Sequence, residues 1–154
     1  MSTEATAEKP AEKPAAPAKP SVDVKDIAGN VIGQGEGDAI ESASYYKKEL
    51  PQANFAGVKF QPETKFYKAN LRGASFEGAD LTRCDLQVAN LQGANLKGSN
   101  LLLANMINAD LRGADLSESS FTQARAWGAK WNRQTKFPKG FKPDAPGSRL
   151  IYQD

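Results

Sequence analysis

The sequence contains no histidine and only one cysteine among its 154 residues. Without histidine it cannot form a Ser-His-Asp relay or a metal site with imidazole ligands. A single thiol cannot form a disulfide within the chain, and it is compatible with a reducing compartment. The sequence therefore predicts a protein without a bound metal or cofactor.

Long apolar runs and aromatic side chains are also scarce. Aromatic residues make up 8% of the chain and the mean hydropathy is −0.56. No segment approaches the about 20 apolar residues that cross a bilayer, and the N-terminus lacks the apolar centre of a secretory signal. These features predict a cytoplasmic protein without membrane insertion, unless a targeting peptide has been removed. Any core must be built from small side chains.

The net charge of +2 is small, and both signs are mixed along most of the chain. A nucleic-acid-binding domain usually carries a concentrated basic patch. The sequence therefore predicts neither a nucleic-acid partner nor an acidic mimic.

The N-terminal third precedes any repeat. Residues 1–20 are rich in Ala, Pro, Lys and Glu, a composition typical of a disordered tail with polyproline II character. Residues 21–52 form an extension, in which SVDVKDIAGNVIGQGEG predicts one or two short extended pieces separated by glycine turns.

A capping helix is predicted over residues 38–50. Asp38 can cap its N-terminus, with Glu41 at the capping-box position. Ile40 and Leu50 lie at helical spacing, and Pro51 ends the pattern.

The chain then repeats every five residues. The first position of each unit is small: Thr64, Ala69, Ala74, Ala79, Cys84, Ala89, Ala94, Ser99, Ala104, Ala109, Ala114, Ser119, Ala124 and Ala129. The third position is large and apolar, except for Ala126: Phe66, Leu71, Phe76, Leu81, Leu86, Leu91, Leu96, Leu101, Met106, Leu111, Leu116, Phe121, Ala126 and Trp131. Asn or Asp usually lies between the two, and glycine recurs two residues after the large one.

A period of five fits neither an α-helix nor a plain strand. Two inward positions separated by one residue form a short extended piece, and glycine and Asn/Asp tolerate the turns between pieces. The small and large columns should together fill a narrow, dry axis. Leu91 and Leu96 should face this axis, whereas Lys97 should face outward.

The motif A-[DN]-L-x-x, present as AN-L-RG, AD-L-TR, AN-L-QG, AN-L-KG and AD-L-RG, resembles the pentapeptide-repeat family. The resemblance implies an all-β fold, a right-handed quadrilateral β-solenoid with four units per coil. The solenoid is expected over residues 53–131, where fourteen units and the pair centred on Phe55 and Phe60 give about four coils. At the usual strand spacing, four coils rise about 19 Å.

Two irregularities bound this repeat. Phe60 and Phe66 are six residues apart, as are Trp131 and Phe137, so one extra residue should bulge outward at each place. Residues 132–154 form a Pro- and Gly-containing cap or tail that resembles cyanobacterial and plastid members. This resemblance implies a thylakoid-associated or lumenal location as the alternative to the cytoplasm. The predicted helix should cover one open end of the solenoid and Trp131 with residues 132–152 the other.

The residues that could suggest catalysis have structural explanations. Cys84 lies in the small inward column and should be an unreactive buried thiol. The Asn/Asp column should bond to turn backbone and stack on itself. Asp80 and Asp85 have no predicted cleft around them, so we expect no catalytic site, no small-molecule substrate and no enzyme activity.

The favoured function is a rigid structural or interaction module that binds another protein, such as an accessory or assembly factor in a photosynthetic lineage. The alternative, taken from quinolone-resistance members of the family, is a DNA-mimic modulator of a type II topoisomerase. A mimic should be strongly negative, yet residues 53–131 contain nine Lys/Arg and seven Asp/Glu.

One corner of the solenoid should gather outward apolar side chains. They are Tyr67, Val88, Leu102, Leu103, Ile107 and Trp127. Either this corner docks a protein partner or a second copy, or the chain's own ends cover it. The segments that could cover it contain Val22, Val24, Ile27 and Val31 at one end and Leu150, Ile151 and Tyr152 at the other. The sequence leaves the oligomeric state open.

Overall fold

The repeat folds as a stack of parallel rungs. The computed structural model describes residues 21–25, 28–36, 39–40, 44–145 and 149–154. Its strands are β1 (Ser21–Lys25), β2 (Val31–Glu36), β3 (Ala39–Ile40), β4 (Lys59–Phe60), β5 (Lys130–Trp131) and β6 (Ile151–Tyr152). The predicted disordered tail, residues 1–20, lies outside the described residues, as does Ile27.

Parallel bridges between successive coils carry the fold. Each Asn/Asp-column residue pairs with the residue one coil later, as in Asp85 with Asn105 and Asn105 with Arg125. Each large inward residue from Tyr45 to Leu116, apart from Val58, which is not in this column, donates its amide to the next coil, as Leu96 does to the Asp115 carbonyl at 2.7 Å. The hydrogen bonds therefore run along the axis of the solenoid.

The two inward columns form the core, as predicted. The large side chains from Phe55 to Leu116 are almost completely buried, as are the small ones between them, including Cys84. Towards the N-terminal end the axis is aromatic: the rings of Phe55 and Phe76 stack at 4.8 Å, and so do those of Tyr45 and Phe66. This ring spacing matches the usual distance between paired strands, about 4.8 Å.

Each unit ends in a tight turn. In the unit at Phe66, the Ala69 amide donates to the Phe66 carbonyl at 2.9 Å, and Lys68 between them has φ 57°. A positive φ at the second central residue is typical of a type II turn, which favours glycine. Glycine occupies this position in fewer than half of the described turns, for example Gly73 and Gly93.

Both predicted insertions are absorbed without loss of the axis. Bridge partners are 21 residues apart where the coil crosses the first insertion, as in Ser44 with Lys65. They are 20 apart from Lys65 onward and 21 apart again at Asp115 with Lys136. Thr64 supports the first insertion by donating its hydroxyl to the Gln61 carbonyl at 2.7 Å.

The prediction of a helix over residues 38–50 is wrong. The described residues of this segment form β3 and the bridges of Ser44 and Glu49, and they contain no helix. The Tyr45 amide donates to the Lys65 carbonyl at 2.7 Å. The next coil thus supplies the hydrogen bonds that a helix would have formed internally, and tertiary pairing overrides local helix propensity.

The solenoid therefore extends beyond residues 53–131 in both directions. Tyr45 and Leu50 are buried inward positions of a coil that precedes the predicted start. At the other end, the Leu116 amide donates to the Lys136 carbonyl at 2.7 Å, so the wall continues past Trp131.

Other elements adjoin both ends. The strands β1 and β2, which match the predicted extended pieces, form an antiparallel hairpin, and the Lys25 carbonyl accepts from the Asn54 amide at 3.4 Å. At the C-terminal end, β6 adds a parallel rung to β5. Rings pack around that rung, with Trp131 at 5.8 Å from Phe137 and 5.0 Å from Tyr152.

Candidate protein-binding corner

Two neighbouring corners of the solenoid carry the predicted site residues. We call one the aromatic corner; its turn pairs are Tyr46–Lys47, Tyr67–Lys68, Gln87–Val88, Ile107–Asn108 and Trp127–Gly128. We call the other the leucine corner; its turn pairs are Pro62–Glu63, Thr82–Arg83, Leu102–Leu103 and Thr122–Gln123. Backbone hydrogen bonds join each column vertically, for example from the Val88 amide to the Ile107 carbonyl and from the Arg83 amide to the Leu102 carbonyl, both at 3.0 Å.

The two corners bound one wall, whose central column is Lys65, Asp85, Asn105 and Arg125. We call it the docking wall. Side chains at the first turn position lie beside the Asn/Asp column of their own unit: the Thr82 hydroxyl donates to Asp80 at 2.6 Å, and Arg112 Nε donates to Asp110 at 2.9 Å. The same repeat geometry aligns Tyr67, Ile107 and Trp127 along the docking wall.

The six predicted residues are thus close together, but they do not form one unbroken strip. Gln87 separates Tyr67 from Ile107 within the column, and Leu102 belongs to the preceding wall. Trp127 is 51% exposed, Leu103 43% and Val88 39%, whereas the other three are half-buried. The exposed apolar surface is concentrated at the C-terminal half of the docking wall.

The described residues of the C-terminal segment contact this surface at its edge. The Gly128 amide donates to the Arg149 carbonyl at 2.8 Å, and the Arg149 guanidinium lies over the Trp127 ring at 4.6 Å from its centroid. Ile151 and Tyr152 continue along the next wall, paired with β5. Trp127 keeps half of its surface exposed beside this contact.

A backbone feature distinguishes these two corners from the others. Their second turn positions have positive φ and carry a side chain in all but one unit: Lys47, Lys68, Val88, Asn108, Glu63, Arg83, Leu103 and Gln123. The other two corners hold glycine in most units: Gly57, Gly73, Gly78, Gly93, Gly98 and Gly113. A side chain in the left-handed conformation costs about 1 kcal/mol relative to glycine. The chain therefore presents side chains at two adjacent corners at a cost in backbone energy.

Three residues outside the predicted set adjoin these corners: Tyr46, Lys47 and Lys68. The rings of Tyr46 and Tyr67 stack at 5.6 Å with an interplanar angle of 9°, and Tyr46 is 48% exposed. The alternation of glycine corners and side-chain corners would have drawn attention to them, because it is visible once the repeat is written in rows of one coil.

The polar columns behave as predicted. In successive units the Asn/Asp side chain accepts from the amide two residues later, as Asn95 does from Lys97 at 3.1 Å. Stacked members of a column also form hydrogen bonds with each other. For example, Asn90 Nδ2 donates to Asn70 Oδ1 at 3.4 Å. These side chains thus support the turns, and no three His, Cys, Asp or Glu side chains of the described residues gather into a metal-binding cluster.

The single thiol, on Cys84, is in an environment that makes it unreactive. Cys84 is fully buried, and burial, with the negative charges of Asp80 and Asp85, raises its pKa to about 12. The reactive thiolate is therefore almost unpopulated at neutral pH.

A shallow cavity of about 290 Å³ lies on a glycine corner, lined by Arg72, Gln92, Arg112, Asn132 and Gln134 among others. Asp110 already accepts from Arg112 Nη2 and from Gln92 Nε2, both at 2.7 Å. The charge that could attract an anion there is partly neutralised by this carboxylate.

The repeat can be placed among known proteins. The family model described as pentapeptide repeats matches residues 62–87 and 84–123 with eight copies. Residues 62–123 are thus pentapeptide repeats. This family match implies that the solenoid is right-handed.

Two solved structures show where similar repeats occur. A pentapeptide repeat protein from the thylakoid lumen of Arabidopsis thaliana is 32% identical, with a TM-score of 0.58; the match covers 60% of this chain and 64% of that one. The pentapeptide repeat protein Rfr23 from the cyanobacterium Cyanothece 51142 is 26% identical over 65% of this chain and 91% of its own, with a TM-score of 0.41. This protein thus aligns with slightly less than two thirds of the Arabidopsis chain.

QnrB1, a plasmid-mediated fluoroquinolone resistance protein, is 13% identical over 75% of this chain and 84% of its own, with a TM-score of 0.37. A likeness at this level carries no functional argument. No curated protein matches the sequence. Within the described residues there is no helix of the length and apolarity needed to cross a membrane.

Proposed function

We propose that this pentapeptide-repeat protein is a non-enzymatic interaction module that binds a protein partner through the docking wall and its two corners. The observation that carries the proposal is the presence of side chains at nearly all left-handed turn positions of these two corners, where the other two corners mostly have glycine. Strained backbone of this kind concentrates at functional sites.

The chemistry of the wall fits a protein partner. Leu103, Ile107 and Trp127 place apolar surface in the middle of polar neighbours, and a large exposed aromatic side chain is a frequent anchor in interfaces. Val88 and Leu102 extend this surface around the two corners, and Tyr67 marks its N-terminal end. Since the module has a rigid hydrogen-bonded frame, it loses little conformational entropy when the partner binds.

We propose further that the protein serves as an accessory or assembly factor in a photosynthetic lineage. The similarity to a plant thylakoid-lumen protein supports this, because that protein shares 32% of its aligned residues. The same similarity favours a thylakoid-associated or lumenal location over the cytoplasm. The charge of the chain does not favour the alternative function, a DNA-mimic modulator of a type II topoisomerase. A DNA mimic requires a strongly negative surface, whereas the net charge of the chain is +2.

The triple variant Leu102→Ser, Ile107→Thr and Trp127→Gln tests the docking wall. We expect it to lose capture of the partner that the wild-type protein retrieves from its source cells. The free energy of unfolding should fall by only about 1 kcal/mol, because the three side chains lie outside the axis and the contact of Trp127 with Arg149 is worth about that much.

A matched control replaces outward residues of the other walls, Arg72→Gln, Glu77→Gln and Lys97→Gln. This control should capture the partner like the wild type. A large fall in melting temperature for the docking-wall variant would show that its side chains serve the fold instead, and unchanged capture with an unchanged melting temperature would refute the proposed surface.

A further inference from the structure

The N-terminal end of the aromatic corner carries a surface different from the apolar C-terminal half. We call it the lysine–tyrosine patch; it consists of Tyr46, Lys47, Lys65, Tyr67 and Lys68. The two tyrosine rings stack on each other, and each has an ammonium group over it: Lys47 Nζ lies 5.1 Å from the Tyr46 centroid and Lys68 Nζ lies 5.3 Å from the Tyr67 centroid. Two successive coils thus repeat the same pair of residues.

The lysines of this patch keep their positive charge available. Among the residues that the structure describes, no carboxylate lies within ion-pair distance of Lys47, Lys65 or Lys68. By contrast, Lys97 and Lys136 on other walls pair with Glu118 and Asp115 at 3.4 and 2.9 Å. The patch therefore brings together three ammonium groups that pair with no described carboxylate, in a chain of small net charge.

Two of these lysines also occupy unfavourable backbone. Lys47 has φ 53° and Lys68 has φ 57°. At the next corner the same two coils place Gln52, with φ 58°, and Gly73 at this position. Such a turn therefore forms with glycine as well as with a side chain, so the turn alone does not require lysine at either position.

We propose that the lysine–tyrosine patch binds an acidic segment of a protein partner. The ammonium groups of Lys47, Lys65 and Lys68 would pair with the carboxylates of this segment. The edges of the stacked tyrosine rings would contact the methylene groups of its acidic side chains. A nucleic acid is the less suitable ligand, because base stacking needs an open ring face and these rings are stacked on each other beneath ammonium groups. The inference names the chemistry of part of the proposed partner and rests on the proposed function.

The test uses a short fluorescein-labelled polyglutamate peptide and fluorescence anisotropy with the full chain. Wild-type protein should bind the peptide in a salt-dependent manner, and Lys47→Gly with Lys68→Gly should weaken binding about tenfold. The melting temperature of this variant should be no lower than that of the wild type, because glycine is relaxed at both positions.

The matched control compares two single variants, Lys68→Gly inside the patch and Arg83→Gly outside it. Arg83 has φ 60° and lies on the leucine corner, so both substitutions remove one positive charge and one left-handed side chain. Only Lys68→Gly should weaken peptide binding. Equal weakening by both would reveal a general charge effect and overturn the proposal, as would a lowered melting temperature without loss of binding.

A fluorescein-labelled oligothymidylate distinguishes the other ligand class. Tighter binding of this probe than of the peptide, with the same dependence on Lys47 and Lys68, would overturn the assignment to an acidic protein segment. The docking-wall variant of Leu102, Ile107 and Trp127 should keep peptide binding. A failure of the patch is therefore distinguishable from a failure of the docking wall.

Discussion

Leu96→Asp should unfold the protein. Leu96 is completely buried in the axis, and its amide and neighbours are fixed by bridges to the coils on both sides. An aspartate there leaves a void and buries a carboxylate without a partner, which together cost about 5 kcal/mol or more. Since a domain of this size is stabilised by about 5–15 kcal/mol in total, the variant should lack a cooperative thermal transition in circular dichroism.

The neighbouring substitution Lys97→Asp is the control. The Lys97 side chain is 45% exposed at the first turn position and forms a solvent-accessible pair with Glu118 at 3.4 Å. Loss of an exposed pair costs about 1 kcal/mol or less, so this variant should melt close to the wild type. Equal destabilisation by the two substitutions would mean that the inward and outward positions are assigned incorrectly.

Deletion of residues 1–50 should cause aggregation or end-to-end stacking of solenoids. It removes Tyr45 and Leu50, two buried residues of the N-terminal coil, together with their rung. The Lys65 carbonyl loses the hydrogen bond that the Tyr45 amide donates to it, and the ring of Phe66 loses the stacked ring of Tyr45. An open coil with exposed rings and unpaired backbone is a template for association.

Deletion of residues 1–20 alone serves as the control and should leave stability unchanged, because that segment has no apolar residues suited to packing. Size-exclusion chromatography with light scattering and thermal melts measure both truncations. A chain starting at residue 51 that stays monodisperse and melts like the full protein would show that the first coil is dispensable.

The period of five was sufficient to predict most of the fold. The alternation of small and large apolar residues placed Leu91, Leu96 and Cys84 in the axis, where the structure has them. The two six-residue spacings located both insertions, because an added residue shifts the column by one position without changing which residues are buried.

The N-terminal coil was missed for a physical reason. Ile40, Tyr45 and Leu50 continue the large column at intervals of five, but the small column is interrupted by Lys48. The same spacing also fits an α-helix. Only the pairing with residues 21 positions later decides between a helix and a coil of the solenoid. Such long-range hydrogen bonds are not visible in local propensity.

The prediction assigned the apolar residues to the columns in which the structure has them. These columns do not form the single continuous surface that was predicted. First and second turn positions leave the backbone in different directions, so Leu102 and Leu103 do not share a wall in the way their adjacency suggests. Tyr46 was absent from the predicted set, because the helix interpretation removed it from the column above Tyr67. The docking role of these residues stays a proposal.

Photo-crosslinking inside the source cells tests the docking wall most directly. A benzophenone amino acid in place of Ile107 reports on the middle of the wall, and the same amino acid in place of Lys97 reports on a wall outside the proposed surface. The account predicts that position 107 crosslinks to one protein partner and that position 97 does not. Crosslinks of the same kind from both positions, or from position 97 alone, would contradict it.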